Sequence, residues 1–302
     1  MIVFALPQSS YLLPPGGQPA RDLSVGRLAV DRFPNGELFV DLATDVRGQE
    51  CAVVGALAPP DGQTLALLLV ADTLKRHGAA SVAALVPYLG YARQDHLQGT
   101  RSLAAAWIGV LAAASSVEEA VTIDVHSERA RELFPIPLTS LSTAPLFAAE
   151  LERLDLGDVT VVAPDHGAIA RCEAVAAAAG IDAPVAYLEK RRTETGVVHG
   201  DLVGTVSRSA LVVDDILDTG GTLVSCCREL RRHGVRDMTV MVTHGLFTGA
   251  GWKELWSVGA RRLLCTDTVP EAAANPPPGV TVISARALLL DELAHRAQRA
   301  NP

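Results

Sequence analysis

The chain has 302 residues, of which 49% are hydrophobic and 20% are charged, and its formal net charge is −8. This is the composition of a globular protein with one large domain or two of ordinary size. The acidic balance argues against nucleic-acid binding, and the apolar run 65–70 is too short to span a bilayer, so we expect neither partner. Five cysteines without CxxC spacing fit neither a disulfide framework nor a zinc site, and a reducing cytoplasm is the simplest compartment.

In chain order, short β-rich runs alternate with helical stretches rich in Ala and Leu. The strands are predicted at 1–6, 51–54, 81–85, 120–123, 160–163, 184–187, 209–213, 238–243, 262–266 and 280–284. The helices are predicted at 63–76, 102–114, 144–154, 167–179, 221–232 and 285–297. Buried parallel strands read as continuous apolar runs, and their crossovers need helices, so the pattern predicts an α/β protein.

The two halves share a layout of strand–helix units, although no residue-level repeat is visible. We predict an N-terminal domain at 1–140 and a C-terminal domain at 141–302, with the boundary near 135–142. The last helix could return to pack on the first domain.

The segment 211–223, LVVDDILDTGGTL, is the most informative part of the sequence. Its strand ends at Asp214 and Asp215, and the segment 219–222, TGGT, turns into the next helix. Glycines let backbone N–H groups approach a ligand, and a helix N-terminus favours a phosphate. Carboxylates at the carboxyl end of a strand lie where α/β sheets bind ligands, and they can accept hydrogen bonds from sugar hydroxyls or hold Mg²⁺ through water. The segment therefore predicts a site for a phosphorylated sugar.

This segment resembles the phosphoribosyl diphosphate (PRPP) motif, which type I phosphoribosyltransferases use to consume PRPP and ribose-phosphate diphosphokinases use to make it. Further segments are similar to those of the diphosphokinases, in the same order: 32–37 RFPNGE, 87–95 PYLGYARQD, 122–127 TIDVHS, 164–167 PDHG, 189–192 EKRR and 243–247 THGLF. A transferase would explain none of the matches in the first half. The chain therefore resembles the ribose-phosphate diphosphokinase family over most of its length.

The resemblance implies a role for each matching residue. The ATP-binding residues are expected to be Phe33, Asn35, Glu37, Arg93, Gln94 and His126, the first three acting on a neighbouring subunit. The residues for ribose 5-phosphate are expected to be Asp214, Asp215, Asp218, Thr219, Gly220, Gly221 and Thr222. Lys190 and Arg192 are the expected catalytic residues, and His126 and Asp165 the expected Mg²⁺ ligands.

The implied fold is α/β, with two tandem type I phosphoribosyltransferase-like domains, each a mainly parallel sheet flanked by helices. The implied reaction transfers the β,γ-diphosphoryl group of Mg–ATP to the 1-hydroxyl of ribose 5-phosphate and yields PRPP and AMP. The resemblance also implies a homo-oligomer built from dimers, up to a hexamer.

Two stretches depart from the family pattern. After Asp95 the chain reads HLQGTRSLAAAW, without the usual basic segment and R-x-P-I-S-A-K, and Ala168 replaces a second glycine in the pyrophosphate turn. Lost positive charge beside the nucleotide could weaken ATP binding or change the donor. Two alternatives therefore stay open: a non-catalytic regulatory subunit associated with a PRPP synthetase, and a phosphoribosyltransferase that consumes PRPP.

Overall fold

The structure is a computed structural model that describes residues 1–14, 23–154, 156–193 and 196–300. The chain divides into two compact units, one of Met1–Leu141 with Ala285–Pro302 and one of Ser142–Ser284. The last helix therefore belongs with the first unit, although it follows the second in the sequence.

The secondary structure alternates along both units. The strands are β1 (Ile2–Ala5), β2 (Ser24–Val25), β3 (Leu28–Arg32), β4 (Leu38–Leu42), β5 (Glu50–Val54), β6 (Ser81–Val86), β7 (Glu119–Ile123), β8 (Leu138–Leu141), β9 (Val159–Ala163), β10 (Ala186–Thr193), β11 (Gly196–Val203), β12 (Ser209–Leu217), β13 (Asp237–Gly245), β14 (Ala260–Thr266) and β15 (Val280–Ile283). The α-helices are α1 (Asp61–Arg76), α2 (Ala104–Ala114), α3 (Glu128–Glu132), α4 (Ala144–Leu154), α5 (Ile169–Ala178), α6 (Gly221–Arg232), α7 (Glu254–Ser257), α8 (Pro270–Ala274) and α9 (Arg286–Ala300). Short 3-10 helices lie at Pro7–Leu12, His166–Ala168 and Gly251–Lys253.

The first unit is built on a six-stranded parallel sheet in the order β2-β1-β5-β6-β7-β8. Its central strands are apolar and buried because helices cover a parallel sheet on its faces. A separate antiparallel hairpin, β3–β4, pairs Leu28 with Leu42 and Arg32 with Leu38. The hairpin is a difference from the sequence prediction, which had no strands at these positions.

The second unit is built on a seven-stranded sheet in the order β11-β10-β9-β12-β13-β14-β15. Its strands run parallel except for β11, which pairs antiparallel with β10 at the sheet edge. The longest strands, β12 and β13, lie side by side in the middle of this sheet. Their carboxyl ends therefore meet at one edge.

Each unit has its own apolar core. Phe4, Leu67 and Ile108 are fully buried in the first unit, and Phe147, Leu211 and Met241 in the second. Two cores with mainly parallel sheets and flanking helices confirm the predicted α/β fold class. No helix among the described residues is both long and apolar enough to cross a membrane.

All five cysteines lie within the described residues, where they are buried and form no disulfide. Burial raises the pKa of the Cys227 thiol to about 12 and chiefly causes the rise of the Cys172 pKa to about 12 as well. Because the thiolate is the reactive form, these side chains act as small apolar core residues.

Candidate active site

Asp214 and Asp215 lie near the carboxyl end of β12, and both are at most 9% exposed. The backbone N–H of Asp215 donates to the Asp214 carboxylate at 2.9 Å. Burial, followed by the negative charge of Asp215, raises the pKa of Asp214 well above its usual range. The strand therefore holds a concentrated negative charge at the carboxyl edge of the sheet, where sugar hydroxyls or a cation can meet it.

Arg171 is the cation that faces this acidic pair. It lies on α5, and its Nη1 is 3.9 Å from Asp214 and 3.8 Å from Asp215. Its side chain is 14% exposed, and its charge opposes the rise in the Asp214 pKa. A largely buried guanidinium keeps the adjacent carboxylates in place without removing their ability to accept further hydrogen bonds.

The turn after β12 brings the backbone to the start of α6. Gly220 is the N-cap of α6, with φ +90°, and it makes no side-chain capping bond. A Cβ at Gly220 would lie 2.4 Å from Trp252 Cα, whereas a Cβ at Gly221 would meet nothing within 4 Å. The turn is thus packed tightly on one side and open on the other. The first N–H groups of a helix have no partner within it, so they are available to an anion on the open side.

A second loop supports this turn. The N–H groups of Leu246 and Phe247 donate to the Leu217 carbonyl at 2.8 and 3.1 Å, and Thr248 N–H donates to the Asp218 carbonyl at 3.1 Å. Phe247, with φ +52°, places its ring 5.0 Å from that of Trp252. Residues 246–248 therefore fix the backbone path of the turn.

Asp165 and Ala168 form the turn after β9. Asp165 is the N-cap of a 3-10 helix, and a Cβ at Gly167 would lie 3.3 Å from its Oδ1. Ala168 is buried at 2% exposure, so its methyl group points into the protein. The charge of Asp165 also contributes to the raised pKa of Asp214. The turn thus adds a third carboxylate to the field at this edge.

In the first unit, the loops after β6 and β7 are joined by a hydrogen bond. Ser127 Oγ donates to the buried carboxylate of Asp95, which also contacts His96. Ser127 in turn accepts a bond from Ala130 N–H at 3.0 Å and so caps α3. This bond fixes the segments 93–95 and 126–127 against each other.

The predicted nucleotide residues in these loops are exposed. Arg93, Gln94 and His126 are all solvent-accessible, and Gln94 Oε1 accepts from Ser102 Oγ at 2.8 Å. Since β6 and β7 are neighbouring parallel strands, the structure brings these three residues to one edge of the first sheet. They form a polar surface to which a nucleotide has access.

Positive φ angles at non-glycine residues occur in three of the matched motifs. Tyr91 has φ +64°, Asp124 has φ +40° and Phe247 has φ +52°. Tyr91 donates its hydroxyl to Asp61, and this bond is the main cause of the raised pKa of the Tyr91 phenol. Such conformations cost free energy and persist where the surroundings enforce them, which happens most often at functional sites.

Phe33, Asn35 and Glu37 lie at the tip of the β3–β4 hairpin. The Phe33 ring is 51% exposed and lies 4.6 Å from the Phe39 ring, centre to centre. Asn35 Oδ1 accepts from Glu37 N–H at 3.2 Å, and Phe33 N–H donates to the Glu37 carbonyl at 2.9 Å. The tip is an ordered turn that presents an aromatic face and two polar side chains to solvent.

Comparisons with known proteins match both halves of the chain. The sequence family described as the N-terminal domain of ribose phosphate pyrophosphokinase matches residues 18–113. The phosphoribosyl transferase domain family matches residues 132–272. The ribose-phosphate pyrophosphokinase of Bradyrhizobium diazoefficiens is 31% identical over 284 residues, which cover 91% of this chain and 88% of that protein. The chain belongs to the ribose-phosphate pyrophosphokinase family. The resemblance inferred from the sequence motifs is thereby confirmed.

Another curated relative and a solved structure agree with this assignment to the pyrophosphokinase family. The ribose-phosphate pyrophosphokinase of Granulibacter bethesdensis is 33% identical over 258 residues, covering 83% of this chain and 82% of that protein. The crystal structure of phosphoribosylpyrophosphate synthetase from Mycobacterium smegmatis has a TM-score of 0.83 and 27% identity, and the match covers 100% of this chain and 99% of that chain. The fold of the family therefore extends over both units.

The expected catalytic residues, Lys190 and Arg192, lie on β10, which forms a hairpin with β11 at the edge of the second sheet. On the backbone, Lys190 pairs with His199 and Arg192 with Val197 across β10 and β11, with an irregularity between Leu188 and Lys190. The side chains at 190–193 and 196–199 and residues 194–195 lie outside the described part of the structure. The catalytic role of Lys190 and Arg192 remains a prediction.

The residues suited to a metal ion are spread over both units. His126 lies in the first unit and Asp165 in the second. Within the described ranges, no three His, Cys, Asp or Glu side chains are grouped closely enough to hold a metal ion by themselves. Asp165 offers hard oxygen donors in a field of negative charge, which fits Mg²⁺, an ion usually held by one or two carboxylates together with substrate phosphates and water. His126 is a less usual ligand for this ion.

Sequence reasoning missed three features of this site. Arg171 lies on α5, outside the recognised motifs. Its position four residues after Gly167 is the signal by which it could have been found. Trp252 constrains Gly220 from 32 positions away, which no local pattern reveals. The Asp95–Ser127 bond joins two motifs that the sequence presented as independent.

Proposed function

We propose that this protein is a ribose-phosphate diphosphokinase, which transfers the β,γ-diphosphoryl group of Mg–ATP to the 1-hydroxyl of ribose 5-phosphate and yields PRPP and AMP. The observation that carries the proposal is the Asp95–Ser127 bond, which fixes the Arg93–Gln94 loop beside the His126 loop in the first unit. A transferase that only consumes PRPP has no need of such a nucleotide surface. The names of the curated relatives support the same activity.

Ribose 5-phosphate would bind at the carboxyl edge of the second sheet. Its phosphate would accept hydrogen bonds from the open backbone of Gly221 and from the hydroxyls of Thr219 and Thr222, in the favourable field of the α6 N-terminus. Its 2- and 3-hydroxyls would donate to Asp214 and Asp215, whose carboxylates can accept further hydrogen bonds beside Arg171.

ATP would bind on the loops of the first unit. Arg93 would contact phosphate oxygens, Gln94 the adenine edge and His126 the phosphate chain. The hairpin tip of a second copy would place Phe33 against the adenine face, since 51% of this side chain is exposed in one copy. A homo-oligomer is thus part of the proposal, as is a cytoplasmic location.

In the reaction, the 1-hydroxyl oxygen attacks the β-phosphorus of ATP, and the bond from that phosphorus to the oxygen bridging the α-phosphate breaks. AMP leaves with the bridging oxygen, and the hydroxyl proton passes to solvent. Such transfers depend on in-line positioning and on neutralisation of the developing charge. Lys190 and Arg192 would supply positive charge, and Asp165 would hold Mg²⁺, which would supply further neutralisation.

The test is to incubate the purified chain with ribose 5-phosphate, Mg²⁺ and ATP and to follow products by mass spectrometry. We expect AMP and PRPP in equal amounts, and none when ribose 5-phosphate is omitted or EDTA is added. Pyrophosphate release from PRPP and a nucleobase would instead support a transferase. No turnover with ATP, GTP, CTP or ADP would support a regulatory subunit and contradict the proposal.

A further inference from the structure

The strand β13 has an irregularity close to its carboxyl end. Val242 of β13 pairs with Cys265 of β14. The next pair is His244 with Thr266, so β13 has one residue more than β14 at this point, and Thr243 is that residue. Bulges of this kind are rare between parallel strands, and they occur preferentially beside active sites.

This bulge lies beside the acidic pair of the candidate site. The register between β12 and β13 stays regular here, and Ile216 pairs with His244. Thr243 is therefore the neighbour of Asp215 in the sheet. Because a bulge bends the strand that carries it, the direction in which the chain leaves β13 is set at this position.

Buried threonine hydroxyls hold the bulge. Thr266 Oγ1 donates to the Thr243 carbonyl at 2.6 Å, and Thr268 Oγ1 donates to the same carbonyl at 3.1 Å. Thr143 Oγ1, just before α4, is 3.1 Å from Thr243 Oγ1. All four threonines are at most 2% exposed. The carbonyl at the bulge is thus satisfied by side chains, as a buried backbone group requires.

His244 extends this network, since its Nδ1 is 2.8 Å from Thr268 Oγ1 and the residue is 2% exposed. Thr268 has one hydroxyl hydrogen, which its bond to the Thr243 carbonyl uses. Nδ1 of His244 is therefore the donor to Thr268 Oγ1. A valine at 268 would leave this imidazole N–H and one lone pair of the carbonyl without their partners, which is costly for buried groups.

The three residues after Gly245 support the glycine turn. Their N–H groups donate to the carbonyls of Leu217 and Asp218, which lead into the turn at 219–222. A Cβ at Gly245 would lie 2.4 Å from the Phe247 ring, so the chain folds back sharply at this point. The path from the bulge to the turn is therefore short and consists of backbone hydrogen bonds.

We propose that Thr268 and His244 are positioning residues for the sugar phosphate. They fix the bulge, and the bulge fixes the glycine turn. This inference rests on the proposed binding of ribose 5-phosphate at that turn. Both side chains are buried, so they act through the backbone and not by contact with the substrate. A positioning role lowers the affinity for ribose 5-phosphate and leaves that for ATP, whose proposed site is in the first unit, unchanged.

The test compares Thr268→Val, which keeps the shape and removes the hydroxyl, with Thr268→Ser, which keeps the hydroxyl. Thr239→Val makes the same change at a buried threonine near the other end of β13 and is the control. Each full-length protein is titrated calorimetrically with ribose 5-phosphate and, separately, with Mg–ATP. We expect the Kd of ribose 5-phosphate to rise at least fivefold in Thr268→Val and less than twofold in the other two variants. The Kd of Mg–ATP should stay within twofold in all of them.

The same comparison at position 244 uses His244→Leu and His244→Asn, because an asparagine amide can replace Nδ1 as the donor to Thr268. The leucine variant should lose at least fivefold in affinity for ribose 5-phosphate, and the asparagine variant less than threefold. Equal losses would mean that the imidazole serves packing alone and would overturn its assignment.

Hydrogen exchange followed by mass spectrometry reports on the turn without any ligand. Peptides that cover 217–222 and 245–248 should exchange at least tenfold faster in Thr268→Val than in the wild type, and at the wild-type rate in Thr268→Ser. Equal effects of these two variants would overturn the proposal, as would an equal loss of affinity for both ligands in Thr268→Val or no binding of ribose 5-phosphate by the wild type. A wild type that binds ribose 5-phosphate without turnover would contradict the proposed reaction alone, since neither measurement depends on turnover.

Discussion

At Gly220, two independent constraints exclude a Cβ atom, which every residue other than glycine would add. Its φ of +90° lies in the region that L-residues avoid, and a Cβ would collide with the Trp252 backbone at 2.4 Å. Gly221 has neither constraint, since a Cβ there meets nothing within 4 Å. Adjacent glycines of one motif are therefore predicted to differ in their tolerance of substitution.

We expect Gly220→Ala to destabilise the protein by about 2–4 kcal/mol, because it combines backbone strain with a clash against main chain. The matched control, Gly221→Ala, should change stability by less than about 1 kcal/mol, since alanine is a good residue for the first turn of a helix. Urea unfolding of both variants measures the difference. Equal stability of the two variants would contradict the packing of the turn against Trp252.

The ionisation of Asp214 makes the stability of the folded protein depend on pH. Its folded-state pKa lies well above its ordinary 3.8 because of burial and the neighbouring Asp215. A carboxyl with a raised folded pKa favours the folded state while it is protonated, and this contribution is lost as the pH rises through the folded pKa. The site therefore destabilises the protein at neutral and alkaline pH.

Asp214→Asn should remove this cost while keeping the oxygen that accepts from Asp215 N–H. We expect the variant to melt about 2–4 °C higher than the wild type at pH 8, which corresponds to about 1 kcal/mol, and no higher at pH 4. Scanning fluorimetry at both pH values tests this, with Asp182→Asn, an exposed acid, as control. A gain of equal size at both pH values would mean that the charge is not the cause.

The edge hairpin β10–β11 carries Lys190 and Arg192, which are expected to act on the transferred diphosphoryl group. Positions 190 and 192 are alternate positions on β10, and 191 is the position between them.

Lys190→Ala should lower the turnover number by about 10²–10³, the loss typical of removing one donor that stabilises transition-state charge. Binding of ribose 5-phosphate should be nearly unchanged. Arg191→Ala removes the same charge from the intervening position and should cost far less activity. Steady-state kinetics and direct titration of ribose 5-phosphate separate the two effects, and equal losses in both variants would show that only the net charge of the hairpin matters.

The elements show which kinds of structure the sequence can predict. Buried strands such as β6 and amphipathic helices such as α4 were predicted because their apolar patterns are local. The hairpin β3–β4 was missed because it is half-exposed and mixes charged with apolar residues, so neither alternation nor an apolar run stands out. Its turn, 33–36, was recognised only through its resemblance to a family motif.

The C-terminal helix α9 completes the first unit from the far end of the chain. Leu289 and Leu293 are at most 1% exposed, and Arg296 is paired with Glu119 and with Glu292. Arg286 also donates to the Tyr11 carbonyl, at 3.0 Å from Nε. The first unit therefore depends on residues that lie beyond the whole second unit in the sequence.

Leu293→Ala should destabilise the protein by about 2–5 kcal/mol, the cost of a cavity at a fully buried leucine. Leu290→Ala on the same helix should cost less, because Leu290 is partly exposed. Chemical denaturation of the two variants gives the comparison. Similar costs would mean that α9 is not docked by the face that carries Leu289 and Leu293.

The candidate site was predictable to the extent that its parts are consecutive in the sequence. The acidic pair and glycine turn lie within the segment 211–223, so their chemistry could be read directly. Arg171 and Trp252 could not be found this way, because they reach the segment from α5 and from a distant loop. The raised pKa of Asp214 needs burial as well as charge, and burial is a property of the folded chain.

The placement of α9 also sets an order for synthesis on the ribosome. Residues 142–284 are contiguous, so the second unit can fold as soon as it emerges. The first unit is made earlier but must wait for α9, which at 5–20 residues per second means roughly 10–30 s with its apolar docking face uncovered. The half of the protein that is synthesised first is therefore the half that is finished last, and the nascent chain has its greatest need of chaperones during that interval.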